Sequence, residues 1–264
     1  MKTVLEFATA KASHQPISMV TCYDATSAKI VAQSGVDCIL VGDSGAMTMH
    51  GFNDTVNATP EMLEWHVASV RRGAPEIFIV ADLPFLAHRG SLDHTMAVVA
   101  KLMRAGANAV KIEGIDGSED VFRHIVQSGV PVMGHLGLTP QSVHQFGGFK
   151  VQGKTEAAAL HIRDQAKRLE DCGVFAMVLE CVPSALAKEV TKAAQIPTIG
   201  IGAGVDCDGQ VLVFQDVLGL NTDFRPKFVR QFAKGAELFA SALSEYDRAV
   251  KTRAFPSPEE SFKS

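Results

Sequence analysis

The chain has 264 residues, 47% of them hydrophobic and 20% charged, with a formal net charge of −4. This is a globular composition with length enough for one large α/β domain and its core. The acidic balance excludes a general attraction to nucleic acid or an anionic membrane surface, and no apolar run approaches the ~20 residues of a membrane span.

The first six residues, Met1-Lys2-Thr3-Val4-Leu5-Glu6, lack the apolar core and cleavage site of a signal peptide. Cys22, Cys38, Cys172, Cys181 and Cys207 are odd in number, scattered, and form no CxxC pair. They read as reduced thiols of a cytoplasmic protein, not as a disulfide frame or a zinc site. A repeating unit emerges from the glycines. Ser34-Gly35-Val36, Arg72-Gly73-Ala74, Ala105-Gly106-Ala107, Ser128-Gly129-Val130 and Cys172-Gly173-Val174 all precede apolar runs, most after an amphipathic stretch. Glycine just past a helix accepts the left-handed conformation that ends it, and the chain then enters a strand.

The runs predict strands at Ile17–Cys22, Cys38–Val41, Ile77–Ala81, Ala109–Ile112, Val132–His135, Phe175–Glu180, Thr198–Ile201 and Val211–Phe214. Eight strands in about 250 residues fit a (β/α)8 TIM barrel; a doubly wound open sheet competes. A helix is expected over Glu156–Asp171, and a long amphipathic pattern runs from Arg225 to Arg253 with Phe228, Phe232, Leu238, Phe239 and Leu243. The tail from 254 to 264 begins with a non-helical Ala254-Phe255-Pro256-Ser257-Pro258, and no linker divides the chain, so 1–264 is expected to form a single domain.

Polar residues stand at the C-terminal ends of these strands: Asp24, Asp43 with Ser44, Asp82, Lys111 with Glu113, His135, Glu180, and Gly200-Ile201-Gly202-Ala203-Gly204. In a barrel those ends meet at one mouth, where the chemistry of such enzymes takes place. Side chains two apart share a face, so Lys111 and Glu113 should both enter the mouth while Val110 and Ile112 face the helices. Glu180 closes the apolar run Phe175-Ala176-Met177-Val178-Leu179. A buried carboxylate there needs a partner or a raised pKa, and either condition suits a general base. Each residue also has a plainer use: Asp-Ser can cap a helix, Lys111 and Glu113 can neutralise each other, and His135 can be a satisfied core histidine. Asp43, Asp82 and Glu113 supply hard oxygen ligands, which favour Mg²⁺ over zinc. On Mg²⁺ a 2-oxo acid would be acidified next to its ketone, as an enolate, with Lys111 adding positive charge and Glu180 taking the proton.

Two motifs are discounted. Gly148 to Thr155 satisfies the P-loop pattern, but Thr139 to Phe146 separates it from the strand near His135; residues 141–155 are expected to form a mobile loop over the mouth. Gly200, Gly202 and Gly204 miss the dinucleotide spacing by one place, and fit a tight strand exit or close approach to a ligand better.

Val41-Gly42-Asp43-Ser44, Ala81-Asp82-Leu83-Pro84-Phe85, Val110-Lys111-Ile112-Glu113-Gly114, Gly134-His135-Leu136-Gly137-Leu138-Thr139-Pro140-Gln141, Gly147 to Lys154, Leu179-Glu180-Cys181-Val182-Pro183, Ile199 to Gly204 and Arg225-Pro226-Lys227-Phe228 occur in order along the chain. Together they resemble the ketopantoate hydroxymethyltransferase family from about Thr21 to the tail. The resemblance implies a barrel of the phosphoenolpyruvate/pyruvate class. It implies transfer of a hydroxymethyl group from the co-substrate 5,10-methylenetetrahydrofolate to 3-methyl-2-oxobutanoate, giving 2-dehydropantoate. It also implies one Mg²⁺ per subunit on Asp43, Asp82 and Glu113, oxo-acid contacts from Asp43, Ser44, Asp82, Lys111 and His135, and Glu180 as proton acceptor. A homo-oligomer, often a decamer in the family, is the further implication. Gly45-Ala46 replaces the usual Leu-Gly and is expected to loosen packing beside Asp43. A Mg²⁺-dependent C–C lyase of the same superfamily shares the metal logic, and a non-catalytic barrel is a third reading. The chain has no Lys-Lys-Cys-Gly-His-like loop of the isocitrate lyase kind.

Overall fold

The computed structural model describes residues 3–222 and 225–262; the first two residues of the N-terminal stretch and the last two of the tail lie outside them. Strands β1 (Ile17–Thr21), β2 (Cys38–Val41), β3 (Phe78–Asp82), β4 (Ala109–Glu113), β5 (Val132–Gly137), β6 (Ala176–Glu180), β7 (Thr198–Ile201) and β8 (Gly209–Leu212) are all parallel. They pair in sequence order and close β8 onto β1 as a barrel, so the open sheet is excluded. Two compact units result: Met1–Val213, which contains the barrel, and Phe214–Ser264.

The barrel interior is layered by strand alternation. Ile17 and Met19, Cys38 and Leu40, Phe78 and Val80, Ala109, Met133, Ala176 and Val178, Ile199 and Val211 form one buried apolar cluster. Two residues further along the same faces stand Asp82, Lys111, His135 and Glu180. The lower layers therefore provide the packed floor of a polar upper layer. Phe7, from the helix Val4–Ala12, plugs the floor: its ring meets Phe78 and Phe175 edge-on, with both centroid distances 5.1 Å. No motif in the sequence marks that helix.

Three boundary differences are consequential, whereas β1, β3, β5 and β6 shift by only one or two residues from expectation. β4 runs one residue further, to Glu113, which puts that carboxylate in register with His135 on β5. β8 starts at Gly209 and ends before Phe214, which opens the short helix Phe214–Val217. Gly209 pairs with both Ile17 and Ile199, and a Cβ there would lie 2.5 Å from the Ile17 carbonyl oxygen. Closure thus demands glycine where an apolar-run criterion looks for valine. In the second unit the helix is Gly235–Lys251, not the whole of Arg225–Arg253. Upstream of it the Phe232 and Gly235 amides donate to the carbonyls of Val217 and Leu218 instead of to a helical ladder.

Candidate active site

Register assembles the site. Asp82 pairs with Lys111 across β3 and β4, Glu113 with His135 across β4 and β5, and Gly137 with Glu180 across β5 and β6. The Lys111 ammonium lies 3.0 Å from Asp82 Oδ1, 3.7 Å from Glu113 Oε1 and 3.1 Å from His135 Nδ1. His135 Nε2 lies 3.2 Å from Glu180 Oε2. The nearest partner of Glu180, at the partly exposed end of β6, is therefore a histidine, not the arginine or lysine of a structural ion pair.

Asp43 joins from the turn after β2, its backbone amide donating to Asp82 Oδ2 at 2.9 Å. Gly42 makes that approach possible, since a Cβ there would meet Ser44 Oγ at 2.8 Å and Asp82 Oδ2 at 3.4 Å. Ser44 shares a 2.8 Å hydrogen bond with the phenol of Tyr23, which is otherwise buried at the end of β1. Gly45 is where the usual leucine was missed. A Cβ at Gly45 would come within 2.9 Å of the Tyr23 ring, and both Gly45 and Ala46 are buried. The Tyr23 ring therefore occupies the space beside Gly45. Asp24 stays out of the cluster: it caps the helix Ala25–Gln33, accepting from the Thr26 and Ser27 amides and the Ser27 hydroxyl.

Sequence reasoning missed Gln141. Its surroundings read as a mobile loop, yet it is 6% exposed and sits on a short 3₁₀ turn, Pro140–Ser142. Its backbone amide donates to Glu113 Oε2, and its side-chain amide donates to Asp43 Oδ2 and to the Leu83 carbonyl, at 2.8–2.9 Å. The Leu83 carbonyl can only accept, which fixes the orientation of the amide. The usable signal was Thr139-Pro140-Gln141 directly after a strand end, because proline at the first position of a turn brings the chain back over the mouth. The rest of the P-loop lookalike follows no strand, and Gly153 packs against Leu186 and Ile162. Gly204 likewise approaches Ser184.

Asp43, Asp82, Glu113 and Glu180 cluster around Lys111 and His135. Burial raises the Asp43 pKa well above the carboxylate range, and the nearby Asp82 and Glu113 charges raise it further. Asp82 is raised as well, first by burial, although Lys111 opposes this. Glu113 goes the other way: burial is outweighed by His135, Lys111 and the Gln141 amide, which lower it. Burial opposes the Lys111 ammonium, but the three surrounding carboxylates outweigh it and raise its pKa, so the charge stays. His135 is opposed by burial and by Lys111, and is raised by Glu113 and Glu180.

Among the described residues no group of three or more His, Cys, Asp or Glu side chains is disposed as a ready metal cage; Lys111 and Gln141 stand among the carboxylates. The donor chemistry nonetheless fits a hard divalent cation. Asp82 Oδ1 and Glu113 Oε1 are buried without a well-formed hydrogen bond: Lys111 Nζ lies 3.0 Å from the first, and His135 Nδ1 and Lys111 Nζ lie 3.3 and 3.7 Å from the second. The surplus of carboxylates is the charge such a cation balances. All five cysteines are free. Burial, then Glu180, pushes the Cys181 thiol up to about 12, which disqualifies it as a thiolate nucleophile near neutral pH.

The chain resembles known proteins at two depths. A phosphonopyruvate hydrolase solved with oxalate and Mg²⁺ superposes with a TM-score of 0.64 at 12% identity, over 98% of this chain and 93% of that one. A 2,3-dimethylmalate lyase of the PEP mutase/isocitrate lyase superfamily gives 0.58 at 15% identity, over 98% and 90%. These likenesses establish the barrel class. Sequence goes further. The 3-methyl-2-oxobutanoate hydroxymethyltransferase of Bdellovibrio bacteriovorus is 56% identical over 262 residues, 99% of this chain and 100% of that protein. Its counterpart in Francisella tularensis subsp. novicida is 52% identical over 259 residues, 98% of each. The profile of ketopantoate hydroxymethyltransferase matches residues 1–258, and with that match the chain belongs to the ketopantoate hydroxymethyltransferase family.

Proposed function

We propose that this enzyme transfers a hydroxymethyl group from 5,10-methylenetetrahydrofolate to 3-methyl-2-oxobutanoate. With one water consumed, the products are 2-dehydropantoate and tetrahydrofolate. The observation that carries the reading is the Glu180–His135–Lys111 chain at the mouth of a barrel whose whole length matches the family. Glu180, the one carboxylate of the cluster with partial exposure, 15% of its side chain, takes the proton from C3 of the oxo acid. His135 stands beside that carboxylate, its Nε2 3.2 Å from Oε2. Lys111, held as an ammonium by its neighbours, stabilises the negative charge left on the oxo acid. Ser44 contributes a hydroxyl toward the oxo-acid carboxylate. The deprotonated C3 then bonds to the one-carbon unit.

Asp43, Asp82 and Glu113 would hold the cation, Mg²⁺ or a similar hard ion, which supplies Lewis acidity to the oxo acid when bound. The lyase alternative has support from the fold alone, and the pKa of Cys181 weighs against a cysteine acid or base. We place the enzyme in the cytoplasm, consistent with five unpaired thiols, and in a homo-oligomer. Support for assembly comes from the helix Gly235–Lys251, which leaves Leu238, Phe239, Leu243 and Tyr246 exposed.

The deciding experiment follows the C3 proton of 3-methyl-2-oxobutanoate by NMR in D₂O with Mg²⁺, without and then with the folate. Exchange that disappears in Glu180→Gln supports the proton-acceptor role. Absence of exchange under both conditions would remove the transferase chemistry.

A further inference from the structure

Gln141 follows β5, yet its three hydrogen bonds reach the ends of β2, β3 and β4: Asp43 Oδ2, the Leu83 carbonyl and Glu113 Oε2. The same segment is also held downstream of Gln141. The His144 imidazole lies 3.2 Å from Asp54 Oδ2, and the Gln152 amide donates to the Cys181 carbonyl just past β6. A neutral amide is the side chain such a position requires. An acidic one would face Asp43 with like charge, and a cation would compete with Lys111 for the same carboxylates. A carboxylate oxygen engaged by a donor cannot rotate away without losing that bond, so its sister oxygen is held in a fixed direction. For Glu113 the sister is Oε1, which makes no well-formed hydrogen bond and lies 3.3 Å from His135 Nδ1 and 3.7 Å from Lys111 Nζ.

We infer that Gln141 is a positioning residue: it fastens the outer oxygens of Asp43 and Glu113 so that their inner oxygens face the cation and oxo acid. The inference rests on the proposed reading of those carboxylates as a cation site. Donors behind metal-binding groups typically change affinity by about 10–100-fold when removed. Gln141 acts through Asp43 and Glu113 and has no contact of its own with the reacting atoms in this reading.

The test titrates Mn²⁺ into the folded protein, following the free-ion electron paramagnetic resonance signal, for wild type, Gln141→Met, Gln141→Asn and Asp43→Ala. Gln141→Met removes the side-chain donors at nearly constant volume. Gln141→Asn keeps the amide but shortens its reach by one methylene, and serves if the methionine variant does not fold. The expected result is Mn²⁺ binding about 10–100-fold weaker in both Gln141 variants, with the Asp43→Ala site weaker still. A purely structural role would lower the urea midpoint of the metal-free protein and leave the Mn²⁺ affinity of the folded variants at the wild-type value. That result overturns the proposal. Wild type and Asp43→Ala binding Mn²⁺ equally would instead overturn the cation-site reading, and the role of Gln141 with it.

Discussion

Individual residues at the mouth have separable consequences. Glu180→Gln keeps the volume and a contact to His135 but cannot accept a proton. Turnover should fall by about 10²–10⁴-fold while 3-methyl-2-oxobutanoate still binds, measurable by steady-state kinetics alongside calorimetric titration. Lys111→Met should behave differently, because it strands buried carboxylates without their cation. Breaking a buried pair from one side costs about 3–5 kcal/mol, so urea denaturation of the metal-free protein should show the loss even where activity is not assayed. Gly137 is constrained twice: its φ is +90°, and a Cβ would lie 2.2 Å from the Glu180 carbonyl oxygen. The left-handed conformation alone costs an alanine about 1–2 kcal/mol, and the overlap would displace the strand end that carries Glu180. Gly137→Ala should therefore lose both stability and turnover, which parallel urea and activity measurements would detect.

Among the elements, the helix Ala25–Gln33 shows how a residue at a strand end can serve structure instead of chemistry. Asp24 satisfies two otherwise unpaired amides at its start. Asp24→Ala should cost about 0.5–2 kcal/mol. Partial burial raises the Asp24 pKa, but the Ser27 hydroxyl and the two amides outweigh it, so the folded value lies below the ordinary one. The sign follows: stability from this ionised cap is fully present above the unfolded-state pKa and is lost as pH falls through the lower folded pKa. The difference in unfolding free energy between wild type and Asp24→Ala should thus shrink on going from about pH 6 toward about pH 3, as urea titrations at each pH would measure. The same Asp-after-strand pattern at Asp43 leads elsewhere. The residue after it, Ser44, makes no side-chain cap for the helix Gly45–Thr48 and bonds Tyr23 instead. Sequence alone does not distinguish the two aspartates, because both follow a strand and precede a helix.

For the molecule as a whole, the barrel depends on a filled floor beneath a charged upper layer. Phe7→Ala should remove the ring that closes the floor against Phe78 and Phe175 and cost about 3–5 kcal/mol, measurable by urea denaturation. Most of this architecture was legible in the chain. The apolar runs located all eight strands because buried parallel strands are apolar on both faces, and the period of two placed Lys111 and Glu113 together inside. Family motifs in order added the chemistry. Other features depended on through-space proximity. Gly209 begins β8 because the closing strand passes too near Ile17 for any side chain, a steric fact without a local signature. Gln141 belongs to the site because a proline turn returns the chain over three other strand ends, whereas its polar, glycine-rich surroundings read as loop. The charge states are likewise collective: burial and mutual repulsion raise Asp43 while His135 and Lys111 lower Glu113, although both are carboxylates at barrel strand ends. Sequence by itself determined the strand count, the face each residue takes and the family, since these follow from local periodicity and motif order. Tertiary structure decided which polar residues touch, which aspartate is a cap, and where the barrel closes, since these depend on distances between segments far apart in the chain.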